Sequence, residues 1–567
     1  MSDRIVSLRP SDKTVGMRRD HTLLTRTHVG LLAVLFTLLW WILLNGRPLL
    51  DPDEGRYAEI PREMLATGDW VIPHLNGLAY LEKPPLQYWA TALAYRAFGV
   101  HEWSARLFTG LTSLLTVFLV YGFARRTWGQ REALWAAGIL ASSTLFILVG
   151  HLLTLDTSLT FFLTLALLAF CDAQGHRDRP HIARLGMLVC WAAMGAAFLT
   201  KGIVGLLIPG AVLVLYSLWQ RDWACWKHLY AGLGIPLFLL IVTPWVVLAA
   251  RTNPQFLEFF FLHEHFARFL TRVHARYQPW WFFLMVLAIG VLPWLPQTVR
   301  ALLSGARRTV PRGTFDTRRV LWVWSVFVLM FFSLSQSKLI PYILPVFPSL
   351  ALLIARQGLA EHRRDAVIAL ALTSLAAAGL LVCAHPGIVF DRDPAHSALW
   401  LAFKPKLYCI VAVLAAGTVF GVWTLKMQQA SRALAGLALA WFLGIGVLFK
   451  SLGPIIPLYS AKPLAFLTRE GYDPNVPVYS VRQFRHTLPF YWGRELTLVD
   501  YRGELALGLD QAPHAGIASL EEFKQRWIAA PDALAVLPVP LYHDLRKAGL
   551  PMHLTAQTAE TVVVDRR

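Results

Sequence analysis

The segment DPDEGRYAEIPREM, residues 51–64, gathers Asp51, Asp53, Glu54, Arg56, Arg62 and Glu63 directly after an apolar run that ends near Leu44. Tyr57 lies within it, and Tyr80, Glu82 and Lys83 follow in the same inter-span segment. Guanidinium and ammonium groups bind phosphate, while a carboxylate can hold sugar groups or move a proton. Gathered at a lipid surface, such groups suit an enzyme that acts on a lipid phosphate. The plainer alternative is helix capping, with Asp51 or Asp53 as N-cap and Glu54 compensating the first-turn dipole. Capping explains single carboxylates but not the whole segment.

Further candidates sit at the ends of apolar runs. Asp156, in HLLTLDTS, falls just inside a run; Lys201, in FLTKG, falls between two; Lys338, in SQSKLIPY, precedes Tyr342. Ionisable groups at membrane depth are costly, which makes them functional candidates. A lysine that snorkels from a helix end is the ordinary alternative. In EFFFLHEHFARFLTRVHARYQPWW, His263 and His265 flank Glu264. With a distant carboxylate such as Glu82, this pair could bind a divalent metal, zinc or similar. Structural or phosphate-binding histidines fit the same pattern. Arg268, Arg272 and Arg276 add positive charge nearby.

Most of the chain must position these residues from within lipid. Of 567 residues, 56% are hydrophobic and 16% charged, and the mean hydropathy is +0.48. That is too apolar for a soluble protein of this size. About thirteen runs reach the length needed to cross a bilayer as a helix; they begin at 28–45, end at 432–449, and include 133–151, 153–171, 202–219, 280–299 and 340–356. Basic tails and loops, with Arg18 and Arg19, Arg125 and Arg126, Arg307 and Arg308, and Arg363 and Arg364, mark the cytoplasmic side. The opposite loops, 46–103 and 251–279, and the C-terminal tail then lie outside. The first run lacks a small-residue cleavage site and is expected to stay as an anchor.

The net charge of +18 is largely this topology. Its exterior share suits anionic lipid headgroups or phosphate-bearing substrates; no nucleic-acid readout module is recognisable. Five cysteines without a CxxC pair indicate neither a disulfide framework nor a zinc cluster. Residues 1–450 read as a helical membrane domain that includes folded exterior loops, and 451–567 as a small exterior α/β domain. PVYSV, LTLVDY, ALAVLPV and ETVVVD are its expected strands; SLEEFKQRWIAA and VPLYHDLRKAG are its expected helices. No nucleotide-binding glycine loop appears, and a monomer is the simplest state.

DPDEGRYAEIPREML followed by GDWVIPHLNGLAYLEKPPLQYW closely resembles the first periplasmic loop of the bacterial aminoarabinose transferases. These lipid A-modifying enzymes share a membrane glycosyltransferase family with the protein O-mannosyltransferases. The resemblance implies a GT-C fold and transfer of 4-amino-4-deoxy-L-arabinose from undecaprenyl phosphate to lipid A phosphates, at the periplasmic side of the inner membrane. Protection against polymyxin and other cationic peptides would follow. It places the family's acidic loop residue on Asp53, and Arg56, Tyr57, Tyr80, Glu82 and Lys83 in the surrounding motifs. Asp156, Lys201, Arg268 and Tyr342 occupy matching places. Catalysis would then rest on Asp53, Glu82, Lys83 and Asp156, with inversion at the anomeric carbon.

Two other readings stay open at this stage. One is a polyprenyl-phosphate-sugar transferase with a protein or glycan acceptor. The other is a lipid or sugar transporter, although transporters collect ionisable groups near the membrane midplane and here the charges collect at span ends and in exterior loops.

Overall fold

The computed structural model describes residues 26–267, 277–307, 310–358, 363–468 and 476–566. Two compact units divide the chain, Met1–Ile42 and Leu43–Arg567. The described part of the first belongs to a single apolar helix, Arg26–Leu44.

Among the described residues, nine helices are long and apolar enough to cross a membrane, the N-terminal one included. A tenth arises if Gln130–Ser142 and Thr144–Gly150, which meet at 66°, form one broken span. The expectation of about thirteen spans differs from this for local reasons. The run 280–299 is split into Phe282–Gly290 and Leu295–Gly305, with Pro293 between them. The run 340–356 begins as a 3-10 turn, Ile340–Val346, and becomes α-helical at Phe347–Ala355; Pro341 and Pro345 withhold amide donors from the first part. The run 202–219 makes a 17-residue helix, Val204–Gln220, just short of a full crossing.

The loop after the first helix is folded throughout. Helix Asp53–Thr67 ends at Gly68, whose left-handed backbone closes it. Strands β1 (His74–Leu75) and β2 (Leu78–Ala79) pair antiparallel across Asn76-Gly77. Both turn residues have positive φ, as a tight two-residue hairpin requires. Helix Leu86–Phe98 follows; it buries Tyr88, Ala92 and Tyr95 and leaves Leu93 and Phe98 exposed, an amphipathic split suited to a bilayer surface.

The C-terminal segment carries one sheet of six strands: β3 (Val478–Val481), β4 (Thr497–Val499), β5 (Gly516–Ile517), β6 (Leu534–Pro538), β7 (His553–Gln557) and β8 (Thr561–Asp565). Their order is β5-β4-β3-β6-β8-β7, with the first four parallel and β8 antiparallel to both β6 and β7. Strands β3, β6 and β8 are nearly continuous apolar runs because both sheet faces are covered. On one face Val481, Val499 and Leu537 pack with Phe523 and Trp527 of helix Leu520–Ala529. On the other, Val478, Leu498, Val536 and Val563 join a core with Tyr57, Ile60, Leu75 and Tyr88 of the first loop. Loop and sheet thus share a hydrophobic interior, and that shared core positions the charged segment.

Candidate active site

The two adjacent acids Asp53 and Glu54 have opposite environments. Glu54 is buried between two arginines. Its oxygens accept from Arg47 at 2.7 and 3.0 Å and from Arg106 at 2.8 and 2.9 Å. The amides of Leu50 and Leu153 add bonds of 3.0 and 2.9 Å. Burial disfavours its charge, but Arg106 and Arg47 outweigh that and hold the carboxyl well below the usual range. Arg47 also donates to the carbonyl of His151. Glu54 therefore ties the loop, the segment before helix Leu107–Thr127, and the turn before helix Leu155–Gly175 into one rigid base.

Asp51 does not cap its own helix, which has no side-chain cap bond. It accepts the Thr487 amide at 2.7 Å and Arg485 Nε at 2.8 Å, and so caps helix Thr487–Trp492 of the C-terminal segment instead. The backbones meet closely at Gly55, where a Cβ would lie 2.5 Å from backbone atoms of His486 and Thr487.

On this base Asp53 stays open, with 45% of its side chain exposed, and lies 3.3 Å from Arg56 Nη1. Arg56 is buried. Glu504 accepts from its Nε at 2.9 Å and lies 2.6 Å from its Nη2, a two-pronged grip. His486 Nε2 shares Glu504 at 2.6 Å. Burial raises the Glu504 pKa, but Arg56 and His486 more than reverse that, so the carboxyl is lowered. The Arg56 guanidinium also lies 5.6 Å from the Tyr57 ring and 5.9 Å from the Tyr80 ring. Among the described residues the buried hydroxyls of Tyr80 and Tyr88 have no hydrogen-bond partner.

Lys83 lies between two carboxylates. Its ammonium is 2.7 Å from Glu264 Oε2 and 3.6 Å from Glu82 Oε2, and it donates to the Glu82 carbonyl at 2.9 Å. Glu264 is 1% exposed, so its charge needs this partner. His263 Nδ1 is 3.5 Å from Glu264, and its ring stacks on Phe259. Among the described residues, no group of three or more His, Cys, Asp or Glu side chains could hold a metal ion. The His265 side chain and Arg268 lie outside the described residues.

Asp156, in the first turn of helix Leu155–Gly175, pairs at 2.5 Å with Lys201, the last residue of helix Pro180–Lys201. Lys201 Nζ also lies 4.5 Å from the Tyr342 ring centre. Lys201 is therefore engaged within the protein rather than snorkelling. Lys338 is buried too, donating to the Gln278 carbonyl at 2.8 Å and to that of Ser335 at 2.5 Å; it closes a loop rather than joining the charged group.

The two sets meet at Tyr57. Burial lifts its phenol well above the ordinary range, Asp53 adds to this while Arg56 opposes it, and Glu82 and Asp156 raise it further. One hydroxyl thus feels the first-loop charges together with Asp156 of the bundle. Of the candidate residues, Asp53, Arg56, Tyr57, Tyr80, Glu82, Asp156, Lys201 and Tyr342 join through these contacts and fields, and Lys83 joins through Glu82. Sequence reasoning did not single out Glu504, His486, Arg47 or Arg106. The first two lie far along the chain, and the last two resemble ordinary loop and helix-end arginines.

A model of the aminoarabinose transferase C-terminal domain matches residues 464–566, and one of the dolichyl-phosphate-mannose-protein mannosyltransferases matches residues 26–260. An undecaprenyl phosphate-alpha-4-amino-4-deoxy-L-arabinose arabinosyl transferase of Sodalis glossinidius is 32% identical, over 88% of this chain and 90% of the relative. The Pseudomonas aeruginosa protein of that name (strain LESB58) is 32% identical over 86% of this chain and 88% of its own length. The crystal structure of ArnT from Cupriavidus metallidurans bound to undecaprenyl phosphate superposes with a TM-score of 0.87 at 32% identity, covering 96% of this chain and 99% of that one. At 13% identity and a TM-score of 0.50, the Archaeoglobus fulgidus oligosaccharyltransferase shares the fold, over 84% of this chain and 65% of its own. With the first-loop motif, the charged group around Tyr57 and similarity over nearly the whole length, this multi-pass membrane protein of GT-C fold belongs to the undecaprenyl phosphate-aminoarabinose arabinosyl transferase family.

Proposed function

We propose that this chain transfers 4-amino-4-deoxy-L-arabinose from undecaprenyl phosphate to phosphate groups of lipid A, at the periplasmic face of the bacterial inner membrane. Polymyxin resistance would be its cellular consequence, since an added amino sugar offsets phosphate charge. The observation that carries the reading is that three candidate cations, Arg56, Lys83 and Lys201, are each held by a carboxylate, with the open carboxylate of Asp53 beside Arg56. The family's named donor supports the sugar and its carrier.

The chemistry follows from the charges. An acceptor phosphate oxygen attacks the anomeric carbon as the bond to the carrier phosphate breaks, and the bonding pair leaves with that phosphate. One in-line displacement inverts the centre. Negative charge grows on the departing phosphate, where fixed cations stabilise it most. Each site cation is held by a carboxylate here, Arg56 by Glu504, Lys83 by Glu264 and Lys201 by Asp156, so each is positioned before the donor arrives. An acceptor phosphate is already ionised near neutral pH and needs no strong base. Asp53 then orients the acceptor or donor, and Glu82 or Asp156 is a natural partner for the sugar's ammonium.

The test is reconstitution. Purified protein, given undecaprenyl phosphate-linked aminoarabinose and lipid A, should add an aminopentose mass to the lipid. Unmodified lipid A in the presence of folded protein, with the sugar passing instead to a protein or glycan acceptor, would overturn the assignment.

A further inference from the structure

Helix Thr317–Leu334 joins two very different ends of the bundle. At one end its successor loop leads through Lys338 to Tyr342, over which Lys201 sits. At the other, Arg318 and Arg319 donate to the carbonyls of Ser304 and Ala306. Eighteen helical residues separate these ends by about 27 Å.

At the end far from the active site, a cavity of about 1200 Å3 opens between helices Leu295–Gly305 and Arg363–Ala384. The first helix runs towards this end and the second runs away from it. Arg307, Arg363 and Arg364 therefore line one end of the groove, while Leu295, Val299, Ile368 and Leu372 line its apolar stretch. Arg300 is neutralised by Asp365 across the groove. Among the described residues the exposed side chains of Arg307, Arg363 and Arg364 have no acidic partner and stand beside an apolar wall.

We propose that this groove binds one anionic glycerophospholipid of the surrounding bilayer, with its phosphate on Arg307, Arg363 and Arg364 and its acyl chains along Leu295, Val299, Leu303 and Ile368. The order of groups along the groove matches a phospholipid, with charge at the surface and hydrocarbon inside. Soluble phosphates have no use for the apolar stretch, and a zwitterionic headgroup answers the exposed guanidinium groups of Arg307, Arg363 and Arg364 less well than an anionic one. Basic recesses between transmembrane helices recognise anionic headgroups in this manner. By the positive-inside rule this end faces the cytoplasm, so the site is separate from sugar transfer.

Native mass spectrometry of the full-length protein in detergent tests the proposal, with phosphatidylglycerol, phosphatidylethanolamine and glycerol 3-phosphate as probes. The parent should retain one phosphatidylglycerol. Arg307→Ala/Arg363→Ala/Arg364→Ala should weaken retention on the order of a hundredfold, at roughly fivefold per arginine. A matched triple variant on the same face, Arg125→Ala/Arg131→Ala/Arg179→Ala, should retain it. Val299→Trp/Leu303→Trp, which fills the groove at exposed positions without touching a charge, should also expel the lipid. Equal loss in both arginine triples would overturn the proposal as mere surface attraction. So would equal retention of phosphatidylethanolamine, displacement by glycerol 3-phosphate, or full retention in the tryptophan variant.

Discussion

Glu504 grips Arg56 from 448 residues away, with contacts of 2.9 Å to Nε and 2.6 Å to Nη2. This pair makes the C-terminal segment part of the site: it fixes the guanidinium that Asp53 faces and shares its own carboxylate with His486.

Glu504→Gln keeps the shape and removes the charge. Arg56 would stay buried without its main counter-ion, and we expect transfer to fall roughly 10- to 100-fold, mainly in kcat, as positioning fails. Glu504→Ala at equal protein level should cost at least as much. Steady-state transfer with donor varied at saturating acceptor checks this.

Glu54→Ala attacks the base rather than the site. It leaves Arg47 and Arg106 buried with no carboxylate between them, and breaking such an arrangement costs about 3–5 kcal/mol. We expect a protein that accumulates poorly and unfolds at a lower temperature in detergent, whereas Asp53→Ala should keep the parent's stability. Thermal unfolding of both variants separates the two neighbouring acids.

Acid should loosen the structure through the same groups. The pKa values of Glu54 and Glu504 are lowered in the folded state, so both contribute stability above the ordinary carboxylate range, and it is lost as pH falls below about 4.3. Glu63 has the opposite sign: burial, and then the charge of Glu59, raise it. Its contribution is present below the ordinary carboxylate pKa and fades as pH rises through its raised value. In melting scans, Glu504→Gln should flatten the acid limb, and Glu63→Gln should flatten the decline on the neutral side.

Much of this was legible in sequence. The strands PVYSV, ALAVLPV and ETVVVD stand out because strands buried on both faces must be apolar throughout. Strand β7 did not, since its edge position leaves HLTAQ mostly exposed and without alternation. Asp53 could be named, but not why Glu54 beside it has a different task. That depends on Arg47 and Arg106, seven and 52 residues away, meeting at one carboxylate. Glu504 carries no local signal at all, because its meaning lies in a contact that only the fold creates.

Asp156 and Lys201 should behave as one unit. Lys201→Met leaves Asp156 charged and largely buried, and Asp156→Asn leaves Lys201 without its partner at 2.5 Å. We expect each to lower transfer by about tenfold or more, and the double variant to lose clearly less than the product of the two. A double-mutant cycle on kcat/KM is the check; simple multiplicativity would contradict the pairing.

Gly55→Ala tests how the C-terminal segment docks. The new methyl would lie 2.5 Å from the backbone at His486 and Thr487, which no side-chain rotation relieves. Overpacking of this kind costs about 1–3 kcal/mol, and we expect a lower melting temperature together with loss of transfer, since Glu504 would shift with its segment.

The most direct test of the central claim uses a polymyxin-sensitive Gram-negative strain that makes the aminoarabinose donor but lacks its own transferase. Lipid A is analysed by mass spectrometry after expression of the parent chain or Asp53→Ala at matched membrane levels. The expected result is an added aminopentose with the parent and none with the variant. Unmodified lipid A from a correctly inserted parent, or full modification by Asp53→Ala, would contradict the account.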